Sequence, residues 1–95
     1  MKRYRVRLRP DLVAFIRHLH PEIRSRLRNA LEAIEMDPFL GKPLKDPLEG
    51  LYSFRVSDYR IVYEIRRQEI LIEVIDIARR RIVYQRVAEL LKRLH

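Results

Sequence analysis

Residues 51–77 hold three strand patterns in close succession, and no other stretch restricts the fold as much. Leu51 to Val56 alternates with period two, setting Tyr52, Phe54 and Val56 on one face and Ser53 and Arg55 on the other. Tyr59 to Arg66 alternates again, with Tyr59, Ile61, Tyr63 and Ile65 facing a core and Arg60, Val62 and Glu64 turned away. Ser57-Asp58 supplies a two-residue turn between them, and Arg67-Gln68 supplies a second turn. Glu69 to Ile77 is so rich in isoleucine, leucine and valine that it reads as a central strand covered on both faces. Connections this short join antiparallel neighbours, so the three segments predict an antiparallel meander.

A sheet of that kind needs cover, and the first half of the chain provides it. From residue 3 a strand alternates, with Tyr4, Val6 and Leu8 inward and Arg5, Arg7 and Arg9 outward. Pro10 and Asp11 open a helix whose Leu12, Phe15, Ile16 and Leu19 share one face. After His20-Pro21 a second stripe follows, formed by Ile23, Leu27, Ala30, Leu31 and Ile34, and Asp37-Pro38 ends it. Together these predict a helical hairpin lying on the sheet. Residues 38–50 contain both glycines and three of the five prolines, and read as one long loop, a mobile basic flap bearing Lys42 and Lys45. A closing helix starts at about Arg81, with Val83, Val87, Leu90 and Leu94 as its buried edge and Arg86, Lys92 and Arg93 outward. The order is strand, helix, helix, three strands, helix: an α+β layout in a single domain over residues 1–95.

Charge indicates what such a domain meets. Lysine and arginine number 21 against 13 acids, a net charge of +8 with a pI near 10.4. Seventeen of those cations are arginine, whose fork suits phosphate or carboxylate, so a polyanionic partner is expected. Without cysteine there is no disulfide framework and no thiolate metal site, and a reducing cytoplasm is the expected setting. His18, His20 and His95 are too few and scattered for zinc, and the first two read as a surface pair or helix cap. No apolar stretch approaches the roughly 20 residues needed to span a bilayer. The amino-terminal MKRYRVRLRP alternates charged and apolar residues, unlike the apolar run of a signal peptide.

No glycine-rich phosphate loop, nucleophile elbow or aspartate cluster is present, so neither a metal nor another cofactor is expected. What remains is a convergence of cations. Ser53 and Arg55 project from one strand and Arg60 from its hairpin partner. Arg79, Arg80 and Arg81 stand where the last strand ends, and Tyr84 lies just beyond. Neighbouring strands would gather these side chains around one phosphate. Tyr59 and Tyr63 read as packing residues, and Asp58 as turn chemistry.

The run Leu51-Tyr-Ser-Phe-Arg-Val-Ser-Asp-Tyr-Arg-Ile-Val-Tyr-Glu-Ile65, preceded by Gly41-Lys-Pro-Leu-Lys45, resembles the central signature of the RelE/ParE toxin superfamily. Val74-Ile-Asp-Ile-Ala-Arg-Arg-Arg-Ile-Val-Tyr84 resembles its closing strand, with the basic cluster and tyrosine. The resemblance implies a RelE-like (microbial-RNase-like) fold and a toxin held in check by a RelB-like antitoxin, acidic at its contact, in a hetero-oligomer. For the RelE branch it implies ribosome-dependent cleavage of mRNA in the A site, by attack of a ribose 2′-hydroxyl on the adjacent phosphate without a metal. Carried over residue by residue, Arg60 and Arg80 become stabilisers of phosphate charge, with Arg79 or Arg81 able to take the role of Arg80 through a one-residue shift. Tyr84 becomes the residue that stacks on a base or assists proton transfer. Where the best-studied branch has two lysines, this chain has Ser53 and Arg55. Arg55 keeps the charge and Ser53 does not, which leaves Lys42 or Lys45 of the loop as substitutes. Lys42, Lys45, Ser53, Arg79 and Arg81 are the expected RNA contacts, around a catalytic set of Arg55, Arg60, Arg80 and Tyr84. Two other functions fit the same signature: a ParE-like inhibitor of DNA gyrase, and a non-catalytic basic module that binds RNA or ribosomes.

Overall fold

The computed structural model describes residues 3–94, apart from the Leu94 side chain; His95 and that side chain, both named above, lie outside the described residues. The elements are β1 (Arg5–Arg7), α1 (Pro10–Arg17), α2 (Pro21–Met36), a 3₁₀ turn (Pro38–Leu40), β2 (Lys42–Pro43), β3 (Leu51–Val56), β4 (Tyr59–Arg66), β5 (Leu71–Arg79) and α3 (Arg80–Leu94). They form one five-stranded sheet in the order β1-β5-β4-β3-β2. The predicted meander is present: β3 to β5 are antiparallel neighbours, and β1 joins β5 in parallel.

Both helices of the hairpin start on a proline, whose fixed φ and missing N–H suit a first turn. His20 caps α2, its Nδ1 accepting from the Glu22 N–H at 3.1 Å. Leu12 of α1 and Leu27, Ala30 and Ile34 of α2 pack on Val56, Ile61, Tyr63, Ile72, Val74 and Ile77 of the sheet. The opposite face carries a second core, in which Val83 and Val87 of α3 close over Val62, Ala78, Leu51 and Leu48. The alternation of β3 and β4 suggests only one buried face, yet Ser53 and Val62 are buried as well, because α3 lies over them.

Three local expectations are corrected. The last strand spans Leu71–Arg79 rather than starting at Glu69, because residues 67–70 form a four-residue turn in which Ile70 takes a φ of 50°. Residues 38–50 are not a flap. The 3₁₀ turn, the pairing of β2 with β3 and the burial of Leu48 tie them down, and the Tyr63 hydroxyl donates to the Pro38 carbonyl (2.7 Å) while accepting from the Gly41 N–H (3.0 Å). Arg86 is not simply outward, because its guanidinium reaches back to Asp76 on β5.

β4 and β5 carry one irregularity. Val62 pairs with Asp76 but Tyr63 pairs with Val74, leaving Ile75 as an extra residue. The bulge reverses the strand's parity. Ile72 and Val74 point to the hairpin side, Ile75 joins the α3 core, and Asp76 turns to α3.

Candidate phosphate-binding site

The site forms where the N-terminal turn of α3 passes the β2–β3–β4 end of the sheet. Cross-strand register decides its contents, since residues opposite one another in an antiparallel pair share a face. Arg55 stands opposite Arg60, Ser53 opposite Val62, and Lys42 opposite Ser53. Val62 belongs to the core under α3, so this row lies on the α3 face. Arg80 and Tyr84, one helical turn apart, reach the same place from α3.

The result is a concavity of about 390 Å³ lined by Leu40, Lys42, Ser53, Phe54, Arg55, Arg60, Arg80 and Tyr84. Four cations line it and no carboxylate does. Two arginines directly opposed across a strand pair repel one another, an arrangement that costs stability and is relieved when an anion bridges them. The Arg55 Nε donates to the Ser57 carbonyl at 3.3 Å, which steers that guanidinium along the hairpin turn. Ser57 takes a φ of 55°, so the tight turn forms without a glycine. Ser53 is 7% exposed, and its hydroxyl lies 3.0 Å from that of Tyr84.

Six of the nine sequence-predicted residues therefore meet: Lys42, Ser53, Arg55, Arg60, Arg80 and Tyr84. Lys45, Arg79 and Arg81 do not line the concavity. Lys45 is exposed in the turn after β2, Arg81 is exposed on α3, and Arg79 lies over the Tyr59 ring at 5.7 Å. Leu40 and Phe54 were not anticipated. Leu40 is 52% exposed at the rim, held there by the 3₁₀ turn, and nothing in its loop sequence distinguishes it from packing leucines. Among the described residues, no group of three or more His, Cys, Asp or Glu side chains is placed to hold a metal ion, and no helix is long and apolar enough to cross a membrane.

Comparison with known proteins locates this architecture. A family model described as the ParE toxin of the type II toxin–antitoxin system parDE matches residues 3–84. Toxin RelE of Mycobacterium tuberculosis is 52% identical over 46 residues, 48% of this chain and 47% of that protein, so the match spans about half the length of the relative. The toxin–antitoxin complex RelBE2 of the same organism contains a chain that superposes with a TM-score of 0.71 at 26% identity, covering 82% of this chain and 99% of that one. A doubly substituted E. coli toxin RelE in the free state gives a TM-score of 0.73 at 20% identity, covering 98% and 99%, and shares the fold. The α+β arrangement expected from the sequence is the one these toxins have.

Proposed function

Because the chain belongs to the ParE toxin family of type II toxin–antitoxin systems, within the RelE/ParE toxin superfamily, we propose that it is a metal-independent endoribonuclease that cleaves mRNA in the ribosomal A site. The observation that carries this reading is the joining of four cations and a hydroxyl pair in one concavity free of carboxylates. In-line attack of a ribose 2′-oxygen on the adjacent phosphorus forms the new P–O bond and breaks the bond to the 5′-oxygen, leaving a 2′,3′-cyclic phosphate and a 5′-hydroxyl. Charge builds on the phosphorane oxygens, where the guanidinium groups of Arg55, Arg60 and Arg80 would stabilise it. A guanidinium keeps its proton, so acid–base work falls to other groups. Lys42, opposite Ser53 on the neighbouring strand, is the proposed acceptor of the 2′-hydroxyl proton, a role that requires its neutral amine, the ammonium having no lone pair. Tyr84, within hydrogen-bond reach of Ser53, is the proposed donor to the leaving oxygen. Arg79, Arg81 and Lys45, outside the concavity, contribute to RNA contact through the general positive field.

The proposal takes residues 1–95 as one toxin domain acting in the cytoplasm, inhibited by a cognate antitoxin with an acidic contact surface, as RelBE2 pairs toxin with antitoxin. The chemistry is tested with a 2′-deoxy substitution at the attacking nucleotide. The substituted message stays intact, the unsubstituted one is cut, and its 5′ fragment ends in a cyclic phosphate; cutting of the substituted message refutes the mechanism. The name of the matching family favours a second reading, a ParE-like inhibitor of DNA gyrase. Loss of supercoiling activity on adding the protein, with mRNA left intact, selects it.

A further inference from the structure

The bulge at Ile75 turns a carboxylate away from the hairpin-side core and towards α3. Without the extra residue, Asp76 would follow Ile72 and Val74 into that apolar layer. With it, Asp76 lies under α3 with its side chain 4% exposed, and Arg86 grips it in a fork: Nε donates to Oδ2 at 2.8 Å and Nη2 to Oδ1 at 2.7 Å. Oδ1 also accepts from the Ile77 N–H at 2.9 Å. The carbonyl of the bulged Ile75 accepts from Arg9 Nη1 at 2.6 Å, and Arg9 is itself paired with Asp11. The irregularity is thus fastened on both sides.

Helix geometry gives the fork its consequence. Tyr84 and Arg86 are separated by about 200° around α3, so they hang from opposite flanks of the helix. Val83 and Val87, both fully buried, form the keel between them. Ala88 and Leu91 pack beside them, and because apolar contact is non-directional, the polar contacts on the two flanks select the roll. A fork of fixed length opposes roll in either sense, since one direction draws Arg86 off Asp76 and the other drives it into the strand, and both would shift Tyr84 relative to Ser53. A half-buried ion pair is a poor source of net stability, and fixing one seating against another is the best-attested use of such a pair.

We propose that Asp76 and Arg86 are positioning residues, which fix the roll of α3 and so hold Tyr84 at Ser53 and Arg80 over the cation cluster. Neither touches the concavity, and both act through the helix. The inference rests on the cleavage reading for its rate measurement alone; its structural half is independent of what the site does.

The test compares wild type with Arg86→Lys and with the double variant Asp76→Leu/Arg86→Met, each carrying 3-fluorotyrosine at position 84. Three quantities are read: thermal midpoint, fluorine resonance, and single-turnover cleavage with saturating and subsaturating ribosome-bound message. In the double variant apolar groups replace the ion pair, and the melting temperature falls by only about 4–8 °C, the cost of an Ile77 N–H that loses its acceptor. The fluorine resonance splits or broadens, and the saturating rate falls by about 10²-fold while half-saturation is unchanged, as expected when a reacting group is misplaced by about an ångström. Arg86→Lys keeps the charge without the fork and falls between the two. An unshifted, sharp fluorine signal in the double variant overturns the proposal, and so does a rate loss that merely follows the melting temperature. Should wild type leave mRNA intact, the cleavage reading fails and the fluorine spectra alone decide the role of the fork.

Discussion

The hydroxyls of Ser53 on β3 and Tyr84 on α3 lie 3.0 Å apart, so the strand that carries Arg55 and the helix that carries Arg80 share a hydrogen bond at the floor of the site. Tyr84→Phe removes the proposed proton donor and leaves the ring in place. Single-turnover cleavage should fall by about 10²-fold, within the range of lost acid–base catalysis. Ser53→Ala should cost less in rate and about 1 kcal/mol in urea unfolding, the value of one hydrogen bond.

The concavity separates arginines that sequence position cannot. Arg60→Ala and Arg80→Ala should each lower the rate by about 10²–10³-fold, as for loss of a transition-state donor. Arg79→Ala and Arg81→Ala, outside the concavity, should change it by about threefold or less, the usual reach of surface substitutions. Equal losses at all four positions would mean that diffuse charge rather than the cluster does the work.

Salt dependence counts the same cations without requiring chemistry. If Lys42, Arg55, Arg60 and Arg80 each neutralise a phosphate, log K for a short single-stranded RNA should fall against log salt with a slope of about −3, at about 0.7 per contact. Each alanine variant should flatten the slope by about 0.7. Fluorescence anisotropy across a salt series measures it.

Tyr63 reaches the site through the segment it holds. Burial pushes its phenol up to about 12. An unfolded tyrosine ionises near pH 10, so between about pH 10 and 12 the unfolded chain releases a proton that the folded chain keeps, and stability falls as pH rises through that window. Tyr63→Phe should flatten this part of the stability profile. At neutral pH it should cost about 1–3 kcal/mol, because the Gly41 N–H loses its partner. Gly41→Ala should act on the same link, since a Cβ there would run into the Tyr63 hydroxyl. Urea melts of the three proteins from pH 7 to 12 check both statements.

Much of this was written locally. Period-two alternation in 51–56 and 59–66, and the helical stripes from Leu12 and Ile23, are local signals, and the meander and hairpin follow from them. The opposition of Arg55 and Arg60 was legible for the same reason, because a short hairpin fixes which residues stand opposite, whereas Arg80 was singled out from Arg79 and Arg81 only by the family resemblance. Long-range features were not. The anchoring of residues 38–43 depends on Tyr63, more than twenty residues away in sequence, and alternation assigns that tyrosine only to a core. Lys42 meets Ser53 through a two-residue strand too short to carry a pattern. The bulge at Ile75 hid in an apolar run where either parity looks buried, and with it the pairing of Asp76 to Arg86.

The fate of a message in the A site separates an endoribonuclease from a binding protein most directly. Purified protein, free of antitoxin, is incubated with programmed ribosomes, and the mRNA is mapped by primer extension beside Arg80→Ala. Sharp, ribosome-dependent breaks within the A-site codon, absent with the variant, are the predicted result. Intact mRNA with folded wild-type protein, or breaks that persist unchanged in Arg80→Ala, would contradict it.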